Sequence, residues 1–151
     1  MKKLTVGLAV LACVLVPQAL FAQEDEGSET VVVTTARVHV PFGEDRQKFL
    51  EFIDRVQAPQ AKNNPNVLAF HVLEHYYGAD ATEVVIVRVY PDLAAIEAPC
   101  GEPCETWAAE NIPEEGTPER EELQALGDHF FKYFAKHSDE IYTSSTSRSK
   151  M

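Results

Sequence analysis

The residue types best suited to chemistry gather in three apolar runs. His71 and His75 stand four apart in LAFHVLEHYY (68–77), Arg88 and Tyr90 close VVIVRVY (84–90), and Arg37 and His39 end TVVVTTARVHV (30–40). Arginines beside an imidazole suit an anionic or enolate ligand, with the guanidinium groups holding negative charge and histidine acting as base. Tyr77 and Tyr90 are candidate walls of such a pocket. The same groups have a plainer use, as interface histidines and as arginines paired with Glu74 or Glu83. The histidine spacing argues against a shared metal. On a strand, residues four apart share a face but lie roughly 13 Å apart, at about 3.3 Å per residue. A metal would need one of them with His39 from a neighbouring strand, or a group from a second subunit. No metal-ligand set is therefore assigned.

Cys100-Gly-Glu-Pro-Cys104 is the most specific local feature. The remaining cysteine, Cys13, falls in a leader, which leaves one pair. In an exported protein that pair is expected to be a disulfide. Closing so short a loop contributes only roughly 2 kcal/mol in the chain-entropy description, so its use is to fix a local segment, as a lid would need. The spacing is not the C-x-x-C of redox motifs, and two further zinc ligands are not at hand. No nucleophile triad, phosphate loop or carboxylate pair stands out.

The elements that must position these groups read as follows. Residues 1–22 form a signal peptide: Lys2 and Lys3, an apolar run, and Ala22 before the cut. A lipoprotein reading at Cys13 would leave an apolar tail at the mature terminus. Residues 23–29 are an acidic, disordered leader, residues 30–146 one domain, and residues 147–151 a frayed tail. Residues 30–40 predict a β-branched first strand. Phe49, Phe52, Ile53 and Val56 give residues 44–57 one buried helical stripe, ended by Pro59 and the polar run at 62–66. Residues 68–90 then form a hairpin. Alternation puts Leu68, Phe70 and Val72 on one face of its first arm, opposite Ala69, His71, Leu73, His75 and Tyr77. The second arm divides into Val85, Val87 and Val89 against Val84, Ile86, Arg88 and Tyr90. The all-apolar sets are expected to lie under a helix layer, and the mixed sets to line a cavity or a subunit interface.

A short helical turn at 93–98 is followed by a proline-rich loop over 99–116, with one turn near 105–111 and Trp107 pinning it to the body. Thr117 caps the strongest helix, with Pro118 at its first position. Leu123, Leu126, Phe130, Tyr133 or Phe134, His137 and Ile141 make its stripe, and residues 142–146 read as a short fourth strand.

The order β-α-β-β-α-β is the ferredoxin-like α+β arrangement: an antiparallel sheet with both helices on one face. With strand order 4-1-3-2, Arg37, Arg88 and His71 or His75 would sit in one row. The other sheet face, with Val31, Val33, Leu73, Val84 and Ile86, is too apolar to leave wet. A symmetric dimer would cover it. The net charge of −11 disfavours nucleic acid and anionic membranes as partners.

Val38-x-Val40-Pro41-x-Gly43 leading into the Phe49 helix, the strand pair, and Tyr90-x-Asp92-Leu93-Ala94-Ala95-Ile96 resemble the dimeric α+β barrel superfamily. Within it they resemble the antibiotic biosynthesis monooxygenase-like proteins. The resemblance spans residues 31–98. It implies a homodimer with a pocket between sheet and helices and, among relatives, cofactor-free oxygenation, haem degradation or no known chemistry. The chain departs from the family at Ala98-Pro99-Cys100, which has no histidine and begins an insertion with two cysteines. The reading is an exported dimer that binds a small apolar or aromatic molecule, with no cofactor assigned, as a cofactor-independent monooxygenase. A non-catalytic binding or assembly module, or a haem or metal protein, are the alternatives.

Overall fold

A computed structural model describes residues 30–75 and 80–145. The signal peptide, the acidic leader, the tail and Tyr77 lie outside the described residues. Four strands form one antiparallel sheet in the order β2-β3-β1-β4: β1 Thr30–His39, β2 Ala69–Glu74, β3 Glu83–Tyr90 and β4 Ser138–Ser145. This is the ferredoxin-like order expected from the sequence, with β3 between β1 and β2.

The helices lie over the face that carries Ala36, Val38, Val84 and Ile86, all buried. Here the expected faces of β3 are reversed. Ala36 pairs with Ile86 and Val38 with Val84, while Val72 of β2 pairs with Ile86. Val84, Ile86, Arg88 and Tyr90 therefore share the helix side with Phe70 and Val72. Val85, Val87 and Val89 point the other way, beside Leu73 and His71. Residues 84–87 are apolar at every position, so alternation alone could not choose between the faces. Pairing with β1 and packing under the helices make the choice.

α1 Glu44–Phe52 starts after Gly43, whose φ of 95° makes the turn out of β1. Its one buried charge, Arg46, donates to the carbonyl oxygens of Val40 (3.0 Å) and Ala81 (2.8 Å). That guanidinium ties the helix start to the end of β1 and to the approach to β3. The expected end of this helix is residue 57, before Pro59, but the helix continues past it. It passes through a π-helical turn, Ile53–Gln57, into α2 Ala58–Asn63. The Ala58 N–H reaches back five residues to Ile53. The wider turn adapts the helix to a proline that has no N–H to give.

α3 Ala94–Glu97 is the expected short turn. α4 Glu102–Asn111 is longer than expected and is anchored by buried Cys104, whereas Trp107 is only half-buried. α5 Pro118–Phe134 is capped by the Thr117 hydroxyl, which accepts from the Arg120 N–H at 3.2 Å. Its stripe ends sooner than expected: Ile141 belongs to β4, 59% exposed. β4 is also longer than foreseen, since pairing along β1 carries Ser138, Asp139 and Glu140 into a strand against their local preference.

α1 and α5 meet through aromatic rings. Phe130 stacks on Phe49 with centroids 4.8 Å apart, lies 4.9 Å from Phe52 and 5.1 Å from Phe134. Gly127 makes room for Phe52: a β-carbon there would sit 3.2 Å from its ring edge. A polar clasp closes one end, where the Tyr133 hydroxyl donates to Asp45 Oδ2 (2.7 Å) and His129 Nε2 to the Asp45 carbonyl oxygen (2.9 Å).

Two expectations follow. Phe130→Ala is expected to cost roughly 3–5 kcal/mol in urea unfolding. Its neighbour Phe131→Ala, more than half exposed, is expected to cost under about 1 kcal/mol, and equal costs would contradict this packing. The Tyr133 hydroxyl also holds the Asp45 carboxyl below its ordinary range. A depressed carboxyl stabilises the fold above its unfolded pKa and loses that contribution as pH falls through the folded value. The penalty of Tyr133→Phe should thus be full at pH 7 and shrink below about pH 4; a penalty independent of pH would argue against the clasp.

Candidate functional site

A cavity of about 190 Å³ lies between β3 and the helices. Its floor is Arg88 and Tyr90. The π-helical turn contributes Gln57, and α2 with the following loop contributes Gln60, Ala61, Asn64 and Val67. The Cys100–Cys104 disulfide, with Cα atoms 5.7 Å apart, completes the wall.

Each wall has a local cause. Arg88 and Tyr90 face inward because they continue the alternation of buried Val84 and Ile86. The Arg88 Nη2 donates to Gln57 Oε1 at 2.9 Å, and its guanidinium lies 5.5 Å from the Phe70 ring. Tyr90 is 9% exposed and packs with Val32 and Ala95. The disulfide rests on the end of α2, with Cys100 Sγ 3.8 Å from the Asn63 carbonyl oxygen and Cys104 Sγ 3.7 Å from that of Gln60. The Asn66 amide donates to the carbonyl oxygens of Pro99 (3.1 Å) and Ala98 (3.4 Å), which holds the approach to the disulfide. The segment expected to act as a lid thus forms one wall of the cavity, through Cys100 and the α4 residue Cys104.

The sequence-expected row of cations does not form. Arg37, His39, His71 and His75 belong to the far side of the sheet or its edge, whereas Arg88 and Tyr90 occupy the helix side. On the far side Arg37 is answered by Glu83 (3.3 Å) and Glu140 (3.5 Å), and the Glu83 contact raises its pKa. His39 meets Asp80 at 3.0 Å and Thr82 at 3.3 Å. His71 is exposed on β2. No histidine lines the cavity, so the expected imidazole base is not available there. Among the described residues, no group of three His, Cys, Asp or Glu side chains converges as a metal site would require.

Gln57, Gln60 and Asn64 were not singled out from the sequence. The signal that could have found Gln57 is Pro59: a proline inside a continuing helix calls for a turn of different pitch, which re-aims the residues just before it.

No protein-family model matches the chain, and no curated protein matches it. Solved structures of similar shape exist. SnoaB, a cofactor-independent oxygenase from Streptomyces nogalater, is 16% identical over 80% of this chain and 96% of its own, with a TM-score of 0.43. A monooxygenase from the gene ActVA-Orf6 of Streptomyces coelicolor, solved with nanaomycin D, is 15% identical over 82% of this chain and 92% of its own, at 0.45. A candidate antibiotic biosynthesis monooxygenase from Deinococcus radiodurans is 13% identical over 80% and 98%, at 0.47. These are the kind of protein that residues 31–98 resemble. At such identities and TM-scores they carry no argument about what this chain does, and the fold stands on its own strand order.

The disulfide supplies a direct check on the wall. Cys100→Ser with Cys104→Ser is expected to lower stability by roughly 2 kcal/mol and to speed amide exchange in α4 without affecting α5. Exchange that rises equally in both helices would show that the disulfide supports the whole fold rather than this wall.

Proposed function

We propose that this chain is an exported, homodimeric protein that binds a small aromatic or apolar molecule in the cavity between sheet and helices, and that it acts there as a cofactor-independent monooxygenase. One observation carries the reading: the cavity sits in the layer where the family resemblance puts a pocket, and Arg88 and Tyr90 form its floor. Concave sites with a few convergent polar groups are the usual places for small ligands. Tyr90 supplies a hydroxyl able to donate a hydrogen bond or exchange a proton. Arg88 supplies a fixed positive charge. The amides of Gln57, Gln60 and Asn64 orient what enters.

The dimer is supported by the far face of the sheet. Val31, Val33, Val85, Val87 and Val89 are half-exposed there, and Leu73 is 54% exposed. This aliphatic field belongs with a second copy of the same sheet. Its valines differ in part from those expected, because β3 is turned over, but the apolar character is the same. Export rests on the lysine-led apolar segment at 1–22.

A specific observation also favours the second reading, an assembly module. The charges on the far face are matched within the chain, Arg37 with Glu83 and Glu140, and His39 with Asp80. That pattern suits an interface that needs no ligand. Oxygen uptake with hydroxy-aromatic substrates separates the two. Under the enzyme reading, uptake is expected to fall at least tenfold in Tyr90→Phe and in Arg88→Met, and to be unchanged in His71→Ala. Uptake that survives Tyr90→Phe and is lost in His71→Ala would move the chemistry to the far face.

A further inference from the structure

We infer that the ligand taken by this cavity is a small organic monocarboxylate, with its carboxylate on Arg88 and Tyr90; the inference rests on the cavity being the ligand site. Three observations lead to it. The first is charge. The chain has 24 acidic residues against 13 lysines and arginines, yet none of the residues lining the cavity is acidic. Arg37, Arg46 and Arg55 each have a carboxylate within ion-pair distance. Among the described residues Arg88 and Arg120 have none, and of these two only Arg88 lines the cavity. Its partners are one amide oxygen and the face of a ring. A half-buried guanidinium without a counter-charge is an expensive arrangement unless something else supplies the negative charge.

The second observation is Tyr90. It is nine-tenths buried and lines the same cavity. Among the described residues nothing hydrogen-bonds its hydroxyl. The hydroxyl opens on the cavity rather than being sealed in the core, so it is free to donate to an incoming acceptor.

The third is the direction of the amides. Gln57 gives its oxygen to Arg88, and Asn64 gives its oxygen to the Asn66 N–H at 2.9 Å. In both, the acceptor end is occupied and the –NH2 end is left to donate. Guanidinium, phenol and two amide –NH2 groups together make a donor-rich lining, which selects an acceptor-only group. An ionised carboxylate is such a group, and it matches the planar fork of arginine with two parallel hydrogen bonds. A single cation balances one negative charge, so a phosphate dianion is the poorer fit. Ala61 and Val67 offer only a small apolar patch to the body of the ligand in a lining that is mostly polar. The cavity, about 190 Å³, is smaller than the roughly 300 Å³ at which drug-sized sites begin, so that body is short: a single ring or a few carbons.

The test uses the purified protein with its disulfide intact, titrated with benzoate, with benzamide as the neutral isostere, and with inorganic phosphate. The side-chain amide signals of Gln57, Gln60 and Asn64 are followed by NMR. Benzoate is expected to shift these signals saturably. Benzamide and phosphate are expected to bind at least tenfold more weakly. Arg88→Met is expected to weaken benzoate at least tenfold and benzamide far less, and Tyr90→Phe to weaken benzoate about threefold to tenfold. The comparison of the three probes on the unaltered protein decides the matter even if Arg88→Met does not fold. Benzamide binding as tightly as benzoate would overturn the carboxylate while leaving the cavity as the ligand site. Phosphate binding more tightly than benzoate would overturn it in favour of an inorganic oxyanion. If none of the three shifts the amides, the cavity itself fails as a ligand site, and the carboxylate fails with it.

Discussion

The arrangement of this molecule depends on one alternation along β3. Val84 and Ile86 are buried completely or nearly so beneath the helices, and a strand gives a side chain no freedom to leave the face its neighbours two positions away have chosen. Once those two residues are under α1 and α5, Arg88 and Tyr90 must open on the same side, nearer the rim of the layer. Val85, Val87 and Val89 must open on the other. The cavity with its cation and the aliphatic far face are thus two consequences of a single register. A slip of one residue would exchange them.

That register is held from both sides. β3 is a central strand, paired with β1 over eight residues and with β2 over six. At the end of the sheet, Arg46 spends two of its donors on main-chain oxygens, those of Val40 and Ala81, and lies 3.8 Å from the Glu74 carboxylate. Breaking such a buried charge from its partners is costly, so α1 cannot lift without disturbing both the end of β1 and the segment before β3. The ring stack of Phe49, Phe52 and Phe130 fixes α5 against α1. The π-helical turn ahead of Pro59 then brings Gln57 over Arg88. The disulfide and α4 close the wall that helix and sheet leave open.

Much of this could be read from the residues. The strand order, the helical stripe of Phe49, Phe52 and Ile53, the Thr117 cap and the cysteine pair all follow from local rules that the three-dimensional setting does not override. The face of β3 could not be read, because Val84 to Val87 offer an apolar residue to either side. The expected row of Arg37, Arg88 and His71 failed for that one reason. The start of β4 is not legible locally, because Ser138, Asp139 and Glu140 have poor strand preference and their pairing with β1 is a long-range effect. Asn64 carries no visible signal, since polar residues near a helix end are commonplace, and Gln57 is marked only indirectly, by the proline two positions on that the helix passes through.

The most direct measurement is the set of NMR contacts made by the Tyr90 ring. Contacts from its ring protons to the methyl groups of Val67 and Ala95, which pack with it in the same cluster, are expected if β3 presents Arg88 and Tyr90 to the helices. Contacts instead to Val31 or Val33, on the far face beside the position paired with Tyr90, would contradict that orientation, and the cavity floor assigned to Arg88 and Tyr90 would go with it.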